Sequence, residues 1–426
     1  MRIKLIAPSI YNGRKIGKGF LYPPMGLMTV AAVTPPEHQV GILDENVAEI
    51  DFDEDVDLVG ISAMTATAPR AYEVAKRFRE RGVKVVLGGV HPSLVPSEAA
   101  EFADAVAIGE AEGTWRRILA DAEKGGLERF YKSDSYPAAS TIPAPRYDLL
   151  PRNTYWLKSM VQTTRGCPFN CNFCSVTRFF GGTFRSRPVR DVIRQVRSLG
   201  AKFVGFVDDN IVGDANYAGS LFKALARERV YWAGQASINV VRDRALLRLL
   251  RRSGCKGLFI GFESVSEASI REMGKRHNKV KEYKEAVKIL HDHGITVEGA
   301  FIFGFDSDDE SVFERTLQFC FDSGIDLVQF ALLTPFPGTR LFTKLDREGR
   351  ILTYDWSKYN MSNVVFRPRR MSPERLREGW LDAYKKFYGG WPMLKRLFRW
   401  GRRQIIAFWP LLVINRTYRK RVYEKT

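Results

Sequence analysis

Cysteine is scarce in this chain, five in 426 residues. Five are too few, and too clustered, to frame a secreted disulfide scaffold, so a reducing cytoplasm is the expected compartment. Histidine is equally scarce, also five. The N-terminus, MRIKLIAPSI, carries no long apolar segment of the kind that directs secretion. The apolar stretch 405–414, IIAFWPLLVI, is ten residues, against the ~20 a bilayer span requires. No internal repeat or low-complexity tract is evident. Acid is also in deficit, with 48 Asp and Glu against 66 Lys and Arg, a net charge of +18. Half of that excess lies in residues 391–426, where ten basic residues meet one acid, Glu424. A tail of this kind suits an anionic surface, whether membrane, nucleic acid or acidic protein.

What is present points to a globular α/β chain of two or three domains. Hydrophobic residues make up 45% and charged residues 27%, enough for a sizeable core. Residues 1–125 alternate short apolar runs (RIKLIAP, DLVGISA, VKVVLGG) with helical stretches such as APRAYEVAKRFRER and one near 111–123. That alternation predicts a parallel sheet with helices on both faces. A proline-rich stretch without periodicity follows, about 125–157. From 158 to 355 the alternation resumes. Strands are expected near 159–164, 202–207, 231–235, 257–261, 295–303 and 326–331, with helices between them. Six such units predict a partial (β/α)6 barrel, whose site residues belong at the C-terminal strand ends. Beyond 355 the pattern is helical. Ser372 and Pro373 open a helix, and Leu376, Trp380, Leu381, Tyr384 and Phe387 share one face. The expected division is 1–135, a Rossmann-like domain; 136–157, a linker; 158–355, the barrel; and 356–426, a basic helical extension.

Three of the five cysteines fall in RGCPFNCNFCS, residues 165–175: Cys167, Cys171 and Cys174, spaced C-x3-C-x2-C. Structural zinc almost always takes four ligands. The loop offers no fourth, and the nearest histidines in sequence are His91 and His277. Thiolates also hold [4Fe–4S] clusters, and three of them would leave one iron free for a small molecule. The cluster is the better fit. Zinc with a remote ligand and three merely packed thiols remain the alternatives.

The loop, with Phe173 before its last cysteine, resembles the signature of the radical S-adenosylmethionine (SAM) superfamily. VGFVDDNIVGD (204–214), WAGQASINV (232–240), SGCKGLFIGFES (253–264), GAFIFGFDSDD (299–309) and LLTPFPGT (332–339) resemble its later barrel strands. YPPMGLMTVAAV (22–33), DLVGISAMT (57–65), VVLGGVHPS (85–93) and AIGEAEGTW (107–115) are similar to the N-terminal cobalamin-binding domain of one subgroup. The C-terminal region looks, more loosely, like that of hopanoid C-2 methylase-like proteins.

The resemblance implies a [4Fe–4S] cluster on Cys167, Cys171 and Cys174. It implies SAM chelated to the free iron, with Phe173 near the adenine. Asp208, Asp209, Gln235, Ser237 and Glu263, at strand ends, are the further SAM candidates. Cobalamin would meet Ser62, Gly88 and Gly89, where open α/β sheets bind ligands. The cobalt-ligating D-x-H-x-x-G motif is absent, and the corresponding stretch, LDENVAEIDFDED, has no histidine. His91 is a candidate to approach the corrin, and Cys255 a candidate radical relay.

The activity implied is reductive SAM cleavage, with cobalamin-dependent methyl transfer to an unactivated carbon of an apolar lipid or isoprenoid. Oxidative cyclisation or C–C coupling on a tetrapyrrole or lipid is the alternative, and a non-enzymatic iron–sulfur or corrinoid carrier a third. No catalytic side chain is identified. A flavodoxin or ferredoxin reductant is expected, as is peripheral contact of the basic aromatic tail with the inner membrane face. No nucleic-acid module is visible.

Overall fold

The computed structural model describes residues 1–9, 21–151, 154–401 and 412–419. Its first sheet holds six strands: β1 (Arg2–Ala7), β2 (Gln39–Asp44), β3 (Leu58–Ser62), β4 (Lys84–Gly88), β5 (Ala105–Ile108) and β6 (Phe130–Lys132). They pair in parallel in the order β2-β1-β3-β4-β5-β6. Helices cover both faces, so β3 and β4 are buried almost throughout. This is why they read as unbroken apolar runs rather than alternating ones. β6 lies inside the proline-rich stretch that shows no periodicity, at the end of the expected first domain. Three residues give no periodicity to read, but Tyr131 is fully buried and its hydroxyl donates to Asp121 Oδ2 at 2.8 Å.

The second sheet is parallel and sequential: β7 (Met160–Val161), β10 (Phe203–Phe206), β11 (Tyr231–Ala236), β12 (Cys255–Glu263), β13 (Thr296–Phe303) and β14 (Leu327–Leu332). Its ends are not joined, which is the arrangement of a partial barrel. The alternation in β13 is clear. Val297, Phe301 and Phe303 are buried against the helices, while Glu298, Ala300 and Ile302 take the other face. The first strand is shorter than expected. After Val161 the chain leaves the sheet, and β8 (Thr164–Gly166) pairs antiparallel with β9 (Phe184–Ser186). That hairpin encloses all three clustered cysteines.

The helix Pro373–Phe387 is capped by Ser372, whose side chain accepts from Arg375 N. It lies over β14, where Trp380 Nε1 donates to Phe330 O at 2.7 Å. Residues 412–419 are helical, and Tyr418 donates to Glu298 Oε1 at 2.8 Å. Most of the 405–414 stretch, and the last seven residues of the basic tail, lie outside the described residues. Among the described residues no helix is long and apolar enough to cross a membrane.

Candidate cofactor site

The cysteine loop is built by its hairpin. Gly166 sits at φ +82°, where a Cβ would stand 2.0 Å from Thr183 O, so only glycine permits the turn into the loop. The loop is then pinned from two sides. Asn172 N donates to Met273 O at 3.0 Å and Asn172 Nδ2 to Glu272 O at 2.9 Å. Leu341 N donates to Asn172 O at 3.1 Å. The Phe169 ring stacks on His277 at 3.5 Å, and burial, with Lys275 and Arg242, drives that imidazole down to about 3.

Cys167, Cys171 and Cys174 are half-buried free thiols. Burial pushes Cys171 up to about 12 and Cys174 to about 11, and raises Cys167. Cys171 is influenced by both of the others. Among the described residues no three His, Cys, Asp or Glu side chains are gathered as a single metal ion needs. Three thiols in one loop are a donor set that a [4Fe–4S] cluster takes. The surroundings fit it too. Lys275 acts on Cys171 and Cys167. Asn210 Nδ2 is buried without a partner and favours the thiolate of Cys167.

The barrel strand ends complete the pocket. Asp209 follows β10, is raised to about 6 by burial and then by Asp208, and acts on Cys167 and Cys174. Ser237, after β11, donates its N–H to Asn210 Oδ1 at 3.0 Å. Glu263 ends β12 at φ +64°, a left-handed conformation costly for a non-glycine residue. Its carboxylate accepts from Lys275 Nζ at 2.5 Å, and the same ammonium donates to Gly261 O at 2.9 Å. The structure therefore groups Asp209 and Glu263 with the thiols, and joins Ser237 to them through Asn210.

The remaining SAM candidates differ in their surroundings. Asp208 is 1% exposed. Its Oδ1 accepts from the backbone N–H and the hydroxyl of both Thr163 and Thr164. That oxygen holds the chain where it leaves β7, while Oδ2 is buried without a hydrogen-bond partner. Phe173 lines a cavity of about 250 Å³ with Asn172 of the same loop, Met273, Phe305 and Leu341. The Gln235 side chain stands exposed at the end of β11. Cys255 opens β12, so ~26 Å of strand separate it from Glu263, too far for a relay. Lys275 escaped sequence reasoning, and Asn210 stood out only as a strand-end residue beside Asp208 and Asp209. The available signal for Lys275 was its place in GKRHN, close after the GFES strand end.

A second cavity, about 270 Å³ and half open, lies at the C-terminal ends of the first sheet. Ser62, Gly88 and Gly89 line one side, and Arg165, Phe179 and Phe180 of the cysteine hairpin region line the other. Gly89 has φ +92°, and a Cβ there would lie 2.8 Å from Ala63 O and Ser62 Oγ. Gly89→Ala is expected to lower stability by ~1–3 kcal/mol, read as a fall in Tm, and to weaken retention of any ligand in this cavity. His91, by contrast, is fully buried, faces Glu98 with Nε2 at 3.4 Å and does not line the cavity. It is not placed to approach a corrin there.

Comparison with known proteins adds independent findings. The radical SAM superfamily profile matches residues 161–320, the B12 binding domain profile residues 18–119, and a domain of unknown function residues 339–404. Bacteriochlorophyllide d C-12(1)-methyltransferase of Chlorobaculum tepidum is 31% identical, over 92% of this chain and 88% of its own. Hopanoid C-2 methylase of Rhodopseudomonas palustris is 27% identical, over 88% and 72%. The structure of the cobalamin-dependent SAM radical enzyme OxsB, with aqua-cobalamin and SAM bound, superimposes at a TM-score of 0.70 and 15% identity. It covers 91% of this chain and 67% of OxsB.

Proposed function

The chain belongs to the radical SAM superfamily, in the group that carries a B12 binding domain ahead of the cluster domain, and from that premise we propose a cobalamin-dependent methyltransferase acting on an unactivated carbon. The observation that carries the reading is three half-buried free thiols at the strand ends, beside a cavity shared with the first sheet. When bound, the cluster, SAM and cobalamin supply the radical and the methyl group, since the hard chemistry is theirs.

The chain's own contribution is to hold, orient and exclude water. Residues 158–355 hold the cluster through Cys167, Cys171 and Cys174, leaving one iron unclaimed. Asp209 and Glu263 offer carboxylates to the ammonium and ribose of SAM, and Ser237 a hydroxyl. Residues 1–135 receive cobalamin at Ser62, Gly88 and Gly89, where a strand end without side-chain bulk lets a flat macrocycle lie close. The basic surface suits an acidic flavodoxin or ferredoxin as electron donor.

An apolar isoprenoid or other lipid is the proposed substrate class. A tetrapyrrole is the second reading, favoured by the 31% identity with a bacteriochlorophyllide methyltransferase over nearly the whole chain. Anaerobically reconstituted protein given SAM and dithionite should form 5′-deoxyadenosine and show corrin absorption after incubation with hydroxocobalamin. A fully iron-loaded protein that forms none would sink the proposal. Mass spectrometry of lipids and pigments from a deletion strain separates the two substrates, according to which pool loses a methyl branch.

A further inference from the structure

Four charges, two buried and two largely so, join the cysteine hairpin to the first domain. Arg165 and Arg185 are directly paired across the hairpin, on β8 and β9. Like charges facing each other across two strands repel. The repulsion is relieved from outside the hairpin, by the turn that follows β5. Arg165 donates to Glu110 Oε2 and to Glu112 Oε1. Arg185 donates to both oxygens of Glu110 and, at 2.6 Å, to Pro137 O. Side-chain exposure is 2% for Glu110, 8% for Arg165, 10% for Glu112 and 16% for Arg185. The group is neutral overall, two guanidiniums against two carboxylates, and largely shielded from water.

A buried ion cluster of this kind adds little net stability, because desolvation offsets the attraction, but removing one member strands the others. Its consequence is geometric. The planar guanidiniums fix direction as well as distance. Arg165 lies two residues before Cys167, and Arg165, Glu110 and Glu112 all line the 270 Å³ cavity. The hairpin that carries the thiols is therefore held in register by the same turn that walls the other ligand site.

We infer that Glu110, Glu112, Arg165 and Arg185 form a latch that docks the cysteine hairpin on the first domain and so sets the separation between the two cofactor sites. They are positioning residues and need touch neither SAM nor substrate. The part concerning cofactor separation rests on the proposed function, whereas the docking does not.

Two variants test it, Glu112→Gln, which removes one contact, and Glu110→Gln, which weakens the acceptor shared by both arginines. In the chain without cofactors, amide hydrogen exchange at 164–166 and 184–186 should quicken by about tenfold, more in Glu110→Gln, with exchange in Cys255–Glu263 unchanged. Unchanged exchange in both variants overturns the latch. In protein loaded with cluster and cob(II)alamin, pulsed EPR between the reduced cluster and cobalt should give one narrow distance in the native chain. The variants should give a broadened distribution at native iron and corrin content. A distribution as narrow as the native one, alongside faster exchange, overturns the role in spacing. A native chain that binds no corrin or no iron counts against the proposed function instead, and the exchange data then decide the docking alone.

Discussion

Cys171→Ala is expected to reduce bound iron from about four per chain to below one and to abolish 5′-deoxyadenosine formation. Burial pushes the Cys171 thiol up to about 12 and outweighs the pull of Lys275 toward the thiolate, so the thiol form prevails in the bare pocket. The cluster irons are what would hold it deprotonated. Two remaining thiols leave a second iron unclaimed, and a half-held cluster in a part-open pocket is lost. Cys255→Ala and Cys320→Ala supply the contrast. Both thiols are buried in the barrel core, and each substitution should cost ~1–2 kcal/mol of packing without loss of iron. Iron analysis and the visible absorption band read all three variants. Native iron in Cys171→Ala, or iron lost equally in the two controls, would remove the cysteine loop from the mechanism.

The contrast between these cysteines also marks how much was legible in the sequence. Spacing exposed Cys167, Cys171 and Cys174 because a cluster needs its ligands in one short loop, and local chemistry leaves a local signature. The barrel strands were legible for a similar reason. Five of the six hold enough alternating or unbroken apolar residues to set a period. The failures are all non-local or too short to show one. β6 is three residues long. The split of the first barrel strand into β7 and a hairpin depends on Asp208, 45 residues after Thr163, accepting bonds from Thr163 and Thr164. Asp208 and Asp209 look equivalent in VGFVDDN, yet successive positions after a strand point to opposite sides. One carboxylate therefore serves the hinge and the other the thiols. Charge spacing alone could not have joined Glu110 to Arg165 or Glu263 to Lys275, because both pairs require the folded sheet.

Lys275→Met should be the most damaging single change that leaves all three thiols in place. Burial alone would favour loss of the ammonium's proton, but Glu263, Cys171 and Cys167 outweigh it, and Lys275 stays charged. Methionine keeps the volume and removes the charge. Glu263 is then a buried carboxylate with no partner, at a residue already held at φ +64°. The expected loss is ~3–5 kcal/mol, a fall in Tm of roughly 10 °C. The charge also matters to the cluster, since removing a cation beside two of its thiolates disfavours the added electron. The midpoint potential should become more negative by tens of millivolts. Adding Glu263→Gln separates the two effects. A neutral amide no longer needs the ammonium, so the double variant should regain much of the lost stability. It should keep the lowered potential, because the cation is still missing. If the potential recovers together with stability, Lys275 acts only by holding Glu263 in place. If it stays low while the fold recovers, the ammonium acts on the cluster directly, and the strained end of β12 is the frame that holds it there.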